Sequence, residues 1–286
     1  MPELPEVETT RRGLEPHVVG QRIVACTVHE PRLRWRVPNN FAVQIVRRRI
    51  VAVGRRAKYL LLRLDDGATL IWHLGMSGNL RVLPKDTPRL THDHVDLVLG
   101  SGQLLRYNDP RRFGSLHYTA DPPEIHRLLK KLAPEPLEAA FDGDYLFAIA
   151  RKRRVAIKQL LMNGQLVVGV GNIYASEALF HARIRPTRAA RSLKSADCEK
   201  LVRAIKRVLG MAIRAGGTTL RDYVGIDGNP GYFRQRLYVY ERDGQPCRRC
   251  RAPIRHLQQG QRSSYFCPSC QPARHIGSMV TRKLTK

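Results

Sequence analysis

Met1-Pro2-Glu3-Leu4-Pro5-Glu6-Val7-Glu8 opens a chain of 286 residues. Pro5 suits the first turn of a helix, where a missing N–H leaves nothing unpaired. Glu6 and Glu8 complement the positive end of the helix dipole, so a helix is predicted over 5–14. Taken alone, Pro2 is a helix-capping proline and Glu3 a helix N-terminal carboxylate. The segment is acidic and has no apolar core, so it is not read as a secretory leader. A cytosolic protein is therefore expected, and structural disulfides are rare in that compartment.

From 22 to 118 the texture is β-branched runs broken by Gly, Pro and Asn-Asp, with strands predicted over 45–53, 59–64, 69–73, 94–99 and 104–107. Several short strands with turns between them indicate a β-sandwich or barrel. The Pro- and Gly-containing stretch 133–143 reads as the end of this domain. Beyond it the period becomes helical. Leu201, Ile205, Val208 and Ala212 recur on one face of an amphipathic helix, and helices are also predicted over 155–162 and 173–182. The Gly-punctuated connection 163–172 between these two is compatible with a phosphate clamp, because glycine lets backbone N–H groups approach an anion. It is equally compatible with an ordinary helix hairpin.

Lys and Arg number 50 against 24 Asp and Glu, a formal net charge of +26. So large an imbalance calls for an anionic partner, and nucleic acid leads over an anionic membrane surface. No apolar run approaches the roughly 18–20 residues that span a bilayer. Cys247-Arg248-Arg249-Cys250 and Cys267-Pro268-Ser269-Cys270 are separated by sixteen residues. Two CxxC turns at that spacing present four thiolates to one tetrahedral zinc ion. Four protein ligands leave no open position, so the metal is structural. The segment 251–266 between them fits a β-hairpin carrying Arg255, His256 and Arg262. Cys26 and Cys198 have no partner motif and read as small buried residues.

The opening octapeptide resembles that of the formamidopyrimidine-DNA glycosylase family, the 8-oxoguanine DNA glycosylases. Arg55-Arg56-Ala57-Lys58-Tyr59-Leu60, His73-Leu74-Gly75-Met76-Ser77-Gly78, His92-Asp93-His94-Val95-Asp96 and Asp109-Pro110-Arg111-Arg112-Phe113-Gly114 look like that family's motifs too. So do Val168-Gly169-Val170-Gly171-Asn172-Ile173-Tyr174-Ala175-Ser176-Glu177, Gly216-Gly217-Thr218-Thr219-Leu220, Pro230-Gly231-Tyr232-Phe233 and the cysteine module. The resemblance runs in order from residue 1 to about 271.

It implies an α+β multidomain chain. The units would be an N-terminal β-sandwich with flanking helices (1–133), a linker (134–150), a helix-two-turn-helix DNA-binding domain (151–240) and a four-cysteine zinc-finger β-hairpin (241–271). A basic tail (272–286), expected to be disordered, would follow. The implied enzyme is a monomeric base-excision-repair glycosylase and AP lyase acting on damaged double-stranded DNA. With Met1 removed, Pro2 would be the amine nucleophile, Glu3 the acid/base, Lys58 a phosphate contact and proton donor, and Arg262 a phosphate grip serving δ-elimination. Met76, Arg111 and Phe113 match the residues that fill the void left by a flipped base, although Met76 or Phe113 alone would read as core. His92, Lys152 and Asn172 resemble DNA contacts, and 218–232 the loop closing over 8-oxoguanine. In that loop Arg221 stands where a lysine is frequent. The ELPEVE start resembles the purine-specific branch rather than the sister endonuclease VIII branch.

Overall fold

The structure is a computed structural model, and it describes residues 2–218 and 233–273. Arg221 and residues 274–286 lie outside the described residues. The first helix, α1 (Leu4–Val18), is longer than predicted at both ends. Its start combines Pro5 in the first turn with the Glu6 carboxylate, which accepts the Glu3 backbone N–H at 2.8 Å.

β1 (Ile23–Val28) and a short α2 (Phe41–Ile45) follow, then seven further strands. These are β2 (Ile50–Arg56), β3 (Tyr59–Leu64), β4 (Thr69–His73), β5 (Asn79–Pro84), β6 (Asp93–Leu99), β7 (Gln103–Asn108) and β8 (Ser115–Thr119). They form two antiparallel four-stranded sheets, ordered β1-β6-β7-β5 and β2-β3-β4-β8. Leu60, Leu62, Leu70 and Trp72 from one sheet share a buried core with Val95, Leu97, Leu105 and Tyr107 from the other. The expected sandwich is therefore present. Of the predicted strand 45–53 only 50–53 is strand, because Ile45 ends α2 and Arg47 takes a left-handed φ of 72°. That turn delays β2 until Ile50.

β3 reads Tyr-Leu-Leu-Leu-Arg-Leu without clean alternation because both of its faces are covered. Leu60 and Leu62 point into the sandwich, while Leu61 packs outward with Ile71 and Leu129.

The helical half comprises α3 (Gly143–Arg151), α4 (Ile157–Leu161), α5 (Asn172–His181) and α6 (Ser195–Arg214). The stretch expected as a linker, 134–150, instead contains most of α3. Phe141, Leu146 and Ala150 are buried in the helical core, and Asp142 caps α3 by accepting the Tyr145 N–H at 2.8 Å. On α6, Leu201, Ile205, Val208 and Ala212 are buried as the period requires. α4 is shorter than the predicted 155–162. Last comes the hairpin of β9 (Arg255–Gln259) and β10 (Arg262–Phe266), antiparallel with Arg262 opposite Gln259.

α1 joins the two halves. Leu4 lies in the helical core, whereas Val7, Leu14 and Val18 lie in the sandwich core. The residues just before α1 are thereby fixed between the two bodies.

Candidate active site and zinc finger

Pro2 is buried at this junction, and Glu3 beside it is 1% exposed. The Glu3 carboxylate meets the N-terminus of α5, accepting the Gly171 N–H at 2.8 Å and the Ile173 N–H at 3.1 Å. Orphan N–H groups and the helix dipole both stabilise the anion there. A side chain at Gly171 would collide with this carboxylate, and Gly169, at φ +74°, would collide with Leu4. The Gly-punctuated connection 163–172 thus lets the backbone reach an anion closely, and that anion is the protein's own Glu3. Behind it, Glu6 accepts the Tyr174 hydroxyl at 2.5 Å and the Thr218 N–H at 2.8 Å. Burial and the neighbouring Glu3 charge push the Glu6 carboxyl above its usual range.

Lys58 sits on the two-residue turn between β2 and β3, where Ala57 has φ 54°. The turn is clamped by Glu135, itself 7% exposed. One Glu135 oxygen accepts the Ala57 N–H at 2.6 Å and Arg56 at 2.8 Å, and the other accepts Arg55 at 2.7 Å. Desolvation pushes the Lys58 ammonium down. Glu3 and Glu6 pull it back up, and Arg262 pushes it down further. Lys58 thus lies within the electrostatic reach of Glu3, Glu6 and Arg262.

Arg262 opens β10 and is exposed. It lines a 540 Å³ cleft with Arg34, His73, Met76, Arg112 and Phe113. Burial, with Lys58 and Arg34 nearby, lowers the His73 pKa to about 4. The hairpin is tied to α4 by Lys158, which is 1% exposed. Its ammonium donates to the Ser263 carbonyl at 2.7 Å and to the Ser264 hydroxyl at 2.8 Å. Burial lowers the Lys158 pKa to about 8.

The Sγ atoms of Cys247, Cys250, Cys267 and Cys270 lie within 4.8 Å of one another. A tetrahedral zinc–thiolate site has sulfur separations of about 3.8 Å. The observed 4.0 Å for Cys247–Cys270 and 3.4 Å for Cys250–Cys267 straddle that value, so the four thiols fit one zinc ion. Cys247 and Cys267 also pack with Phe180, Val239 and Ile254, which seats the finger on α5. Glu177 of α5 secures the approach to the finger, accepting the N–H groups of Tyr238, Val239 and Tyr240 at 2.9, 2.9 and 3.0 Å. Of the remaining cysteines, Cys198 is buried as expected and Cys26 is partly exposed; burial raises both thiols, to about 11 and about 12.

Opposite the finger, Phe113 is 46% exposed and so is not a core residue. The Arg111 guanidinium lies 5.0 Å from its ring centre. Their loop is held by buried Asp109, whose carboxylate accepts Ser77 at 2.8 Å, Tyr107 at 3.0 Å and the Gly114 N–H at 2.8 Å. Met76 is partly buried on the same cleft. Asn172, first residue of α5, donates to the Tyr240 hydroxyl at 3.5 Å. His92, with φ 71°, and Lys152 are exposed. Among the described residues, no hydrogen bond or ion pair joins His92 or Lys152 to the Glu3, Lys58 and Arg262 group.

Glu135, Lys158 and Glu177 were missed in the sequence. Lys158 left a trace as a lone cation in the apolar run Ala156-Ile157-Lys158-Gln159-Leu160-Leu161. Glu177 ends the motif 168–177, which gives it no role of its own, and Glu135 left no trace; the partners of both lie tens of residues away.

Chemically, the arrangement sets a buried carboxylate next to Pro2, a lysine with its pKa lowered by burial within that carboxylate's electrostatic reach, and a cleft lined by Arg34, Arg112 and Arg262. The formamidopyrimidine-DNA glycosylase N-terminal domain model matches residues 1–116, the corresponding H2TH domain model residues 132–224, and the zinc finger found in FPG and IleRS residues 244–273. A formamidopyrimidine-DNA glycosylase of Thioalkalivibrio sulfidiphilus is 57% identical over 271 residues, covering 95% of this chain and 100% of that protein. The crystal structure of the MutM (Fpg) protein of Thermus thermophilus is 42% identical with a TM-score of 0.85, covering 94% of this chain and 98% of that one. A point mutant of the Lactococcus lactis Fpg, solved with Fapy-dG-containing DNA, is 36% identical with a TM-score of 0.88 and covers 95% and 100% of the two chains. With three family models over most of its length, relatives 57% and 55% identical over 271 residues and a four-cysteine cluster where the finger model matches, the chain belongs to the formamidopyrimidine-DNA glycosylase family.

Proposed function

We propose that this chain excises oxidised purines, 8-oxoguanine and formamidopyrimidines, from double-stranded DNA and then cleaves the abasic strand. The observation that carries the reading is the buried Glu3 carboxylate, held on the α5 N-terminus with Pro2 before it, and Lys58 within the electrostatic reach of both Glu3 and Arg262. With Met1 removed, the Pro2 nitrogen attacks C1′ of the damaged nucleotide and the C1′–base bond breaks. An α-amino group starts near pKa 8, at about 7.7–8.0, so little tuning is needed to free its lone pair. The adduct opens to an iminium, which is cationic because proline is a secondary amine. That electron sink acidifies C2′. Loss of its proton expels the 3′ phosphate by β-elimination, and a second elimination expels the 5′ phosphate. Water then hydrolyses the iminium, releasing the sugar remnant as an aldehyde and freeing the Pro2 amine.

Glu3 moves protons at the opening sugar. Lys58 holds phosphate and, with its pKa lowered by burial, donates a proton during β-elimination. Arg262 grips phosphate for δ-elimination, and the zinc finger's work is to present it. Flipping a base costs a few kcal/mol of stacking; Met76, Arg111 and Phe113 offset this by filling the void. The exposure of Phe113 and its contact with Arg111 support that role. His92, Lys152 and Asn172 contact the DNA backbone, and Arg221 belongs to the base-recognition loop. We further propose a sandwich unit over 1–133, a helical unit up to 240 and a finger over 241–271. The protein would work as a monomer in the cytoplasm, on the nucleoid. Among the described residues no helix is long and apolar enough to cross a membrane.

The test is base release and strand cleavage on duplexes carrying 8-oxoguanine opposite cytosine or dihydrouracil, for wild type and Glu3→Gln. Faster wild-type turnover of the purine lesion, lost in Glu3→Gln, is expected. A preference for dihydrouracil would reassign the substrate class. Inactivity on both, by protein shown to begin at Pro2 and to contain zinc, would leave only a damage-binding role.

A further inference from the structure

α5 is ten residues long, about 15 Å at 1.5 Å per residue. One end receives the Glu3 carboxylate. At the other, the turn after His181, one face of α6 and the first cysteine pair enclose a separate concavity of 690 Å³. Its cations are Arg183, Lys200, Arg203, Arg207 and Arg249, all exposed. Lys200, Arg203 and Arg207 are spaced i, i+3, i+7 on α6, so they project from one face, opposite the buried Leu201, Ile205 and Val208. The Arg249 guanidinium is braced 4.9 Å from the Phe180 ring centre.

The carboxylates nearby do not balance these charges. Asp197 is engaged by Arg188 at 2.7 Å and accepts the Lys194 N–H at 3.0 Å at the start of α6. Glu199 lies 3.8 Å from Arg203, with side-chain exposures of 52% and 69%, and surface pairs of that kind contribute little. The field reaches the adjacent ring: His181 is held at about 4 by burial, with Arg207 and Arg249 adding to the effect. Five cations clustered in a concavity repel one another unless a polyanion enters it.

We propose that this concavity is a second nucleic-acid site, which holds the phosphodiester backbone of a DNA segment other than the one in the catalytic cleft. The charges line a helix face and a finger edge, and the concavity, lying at the far end of α5 from Glu3, is not the cleft lined by Arg262. Recognition is by charge, without base readout, and suits a protein that must hold one duplex while sampling another.

The test uses whole zinc-containing protein, loaded one to one with a short duplex bearing an uncleavable abasic-site analogue and checked by size-exclusion chromatography. A labelled undamaged duplex of about 30 base pairs, about 100 Å long, is then titrated in by anisotropy across a salt series. Loaded wild type is expected to bind it, and Arg203→Gln/Arg207→Gln to bind at least about tenfold more weakly. The slope of log affinity against log salt should fall by about 1.8 with two phosphate contacts removed. Loading and lesion excision should be unchanged in that variant, which separates this site from the catalytic one. Arg203→Lys/Arg207→Lys should retain binding, since point charges suffice. Equal affinities and slopes for wild type and the glutamine variant overturn the proposal. Binding of polyglutamate but not of the second duplex overturns it too, by assigning the surface to an acidic protein.

Discussion

Replacing Glu135 with glutamine changes one atom type at the clamp beneath Lys58. The carboxylate accepts three donors, Ala57 N–H, Arg56 and Arg55, through both oxygens. An amide keeps one oxygen, and in either orientation its NH₂ faces a donor. Bonds to charged groups are each worth about 1.5–3 kcal/mol, and an orphaned buried donor costs about 1–3 kcal/mol. The side chain is only 9% exposed, so water recovers little of this. A loss of about 3 kcal/mol is the working figure, at the lower edge of values for breaking a buried charge pair. Both tryptophans, Trp35 and Trp72, lie in the sandwich half, so their fluorescence reports its unfolding. With a urea m-value of about 2 kcal/mol/M, Glu135→Gln should lower the midpoint by about 1.5 M. The loosened turn should also misplace Lys58 and slow strand cleavage about tenfold or more. A midpoint within about 0.3 M of wild type, with cleavage intact, would refute the clamp.

Phe113→Ala should leave the unfolding midpoint unchanged, because the ring is 46% exposed, yet slow lesion excision by about tenfold or more; a large stability loss would return Phe113 to the core. Chelating zinc should abolish duplex binding rather than slow one chemical step, because the finger that presents Arg262 unfolds; tight binding after verified metal loss contradicts this. His73, His117 and His181 are each held at about 4, below the ordinary 6.5. The unfolded chain therefore binds more protons between those values, so stability should be full above pH 6.5 and fall as pH drops towards 4. The raised Glu6 and Glu177 carboxyls offset part of that loss. A melting temperature that is flat or rising from pH 7 to pH 5 would count against it.

Local chemistry explains which parts of the fold were legible. The cysteine spacing is a covalent regularity, and the Leu201, Ile205, Val208 and Ala212 period is a burial pattern carried within one element, so both survive intact in the structure. Strands 59–64 and 69–73 agree with prediction because their β-branched and leucine-rich runs are bounded by turns. Ile45 misled because an apolar run does not show where a single left-handed residue, here Arg47, breaks the chain. Helix α3 was hidden by the Pro and Gly before it, although Phe141, Leu146 and Ala150 carry the apolar spacing. At the site, Pro2, Glu3, Lys58 and Arg262 were found through resemblance, since as bare residues each has an ordinary structural reading. Glu135, Lys158 and Glu177 stayed out of reach because their meaning lies in partners 60 to more than 100 residues away.

The central claim is tested most directly by borohydride trapping on a duplex with one 8-oxoguanine opposite cytosine, followed by peptide mapping of the adduct. The account predicts a covalent protein–DNA species attached at Pro2, absent in Pro2→Gly carrying an acetylated terminus. An adduct mapped to Lys58 or Lys158 instead, or strand cleavage without any adduct, would contradict it.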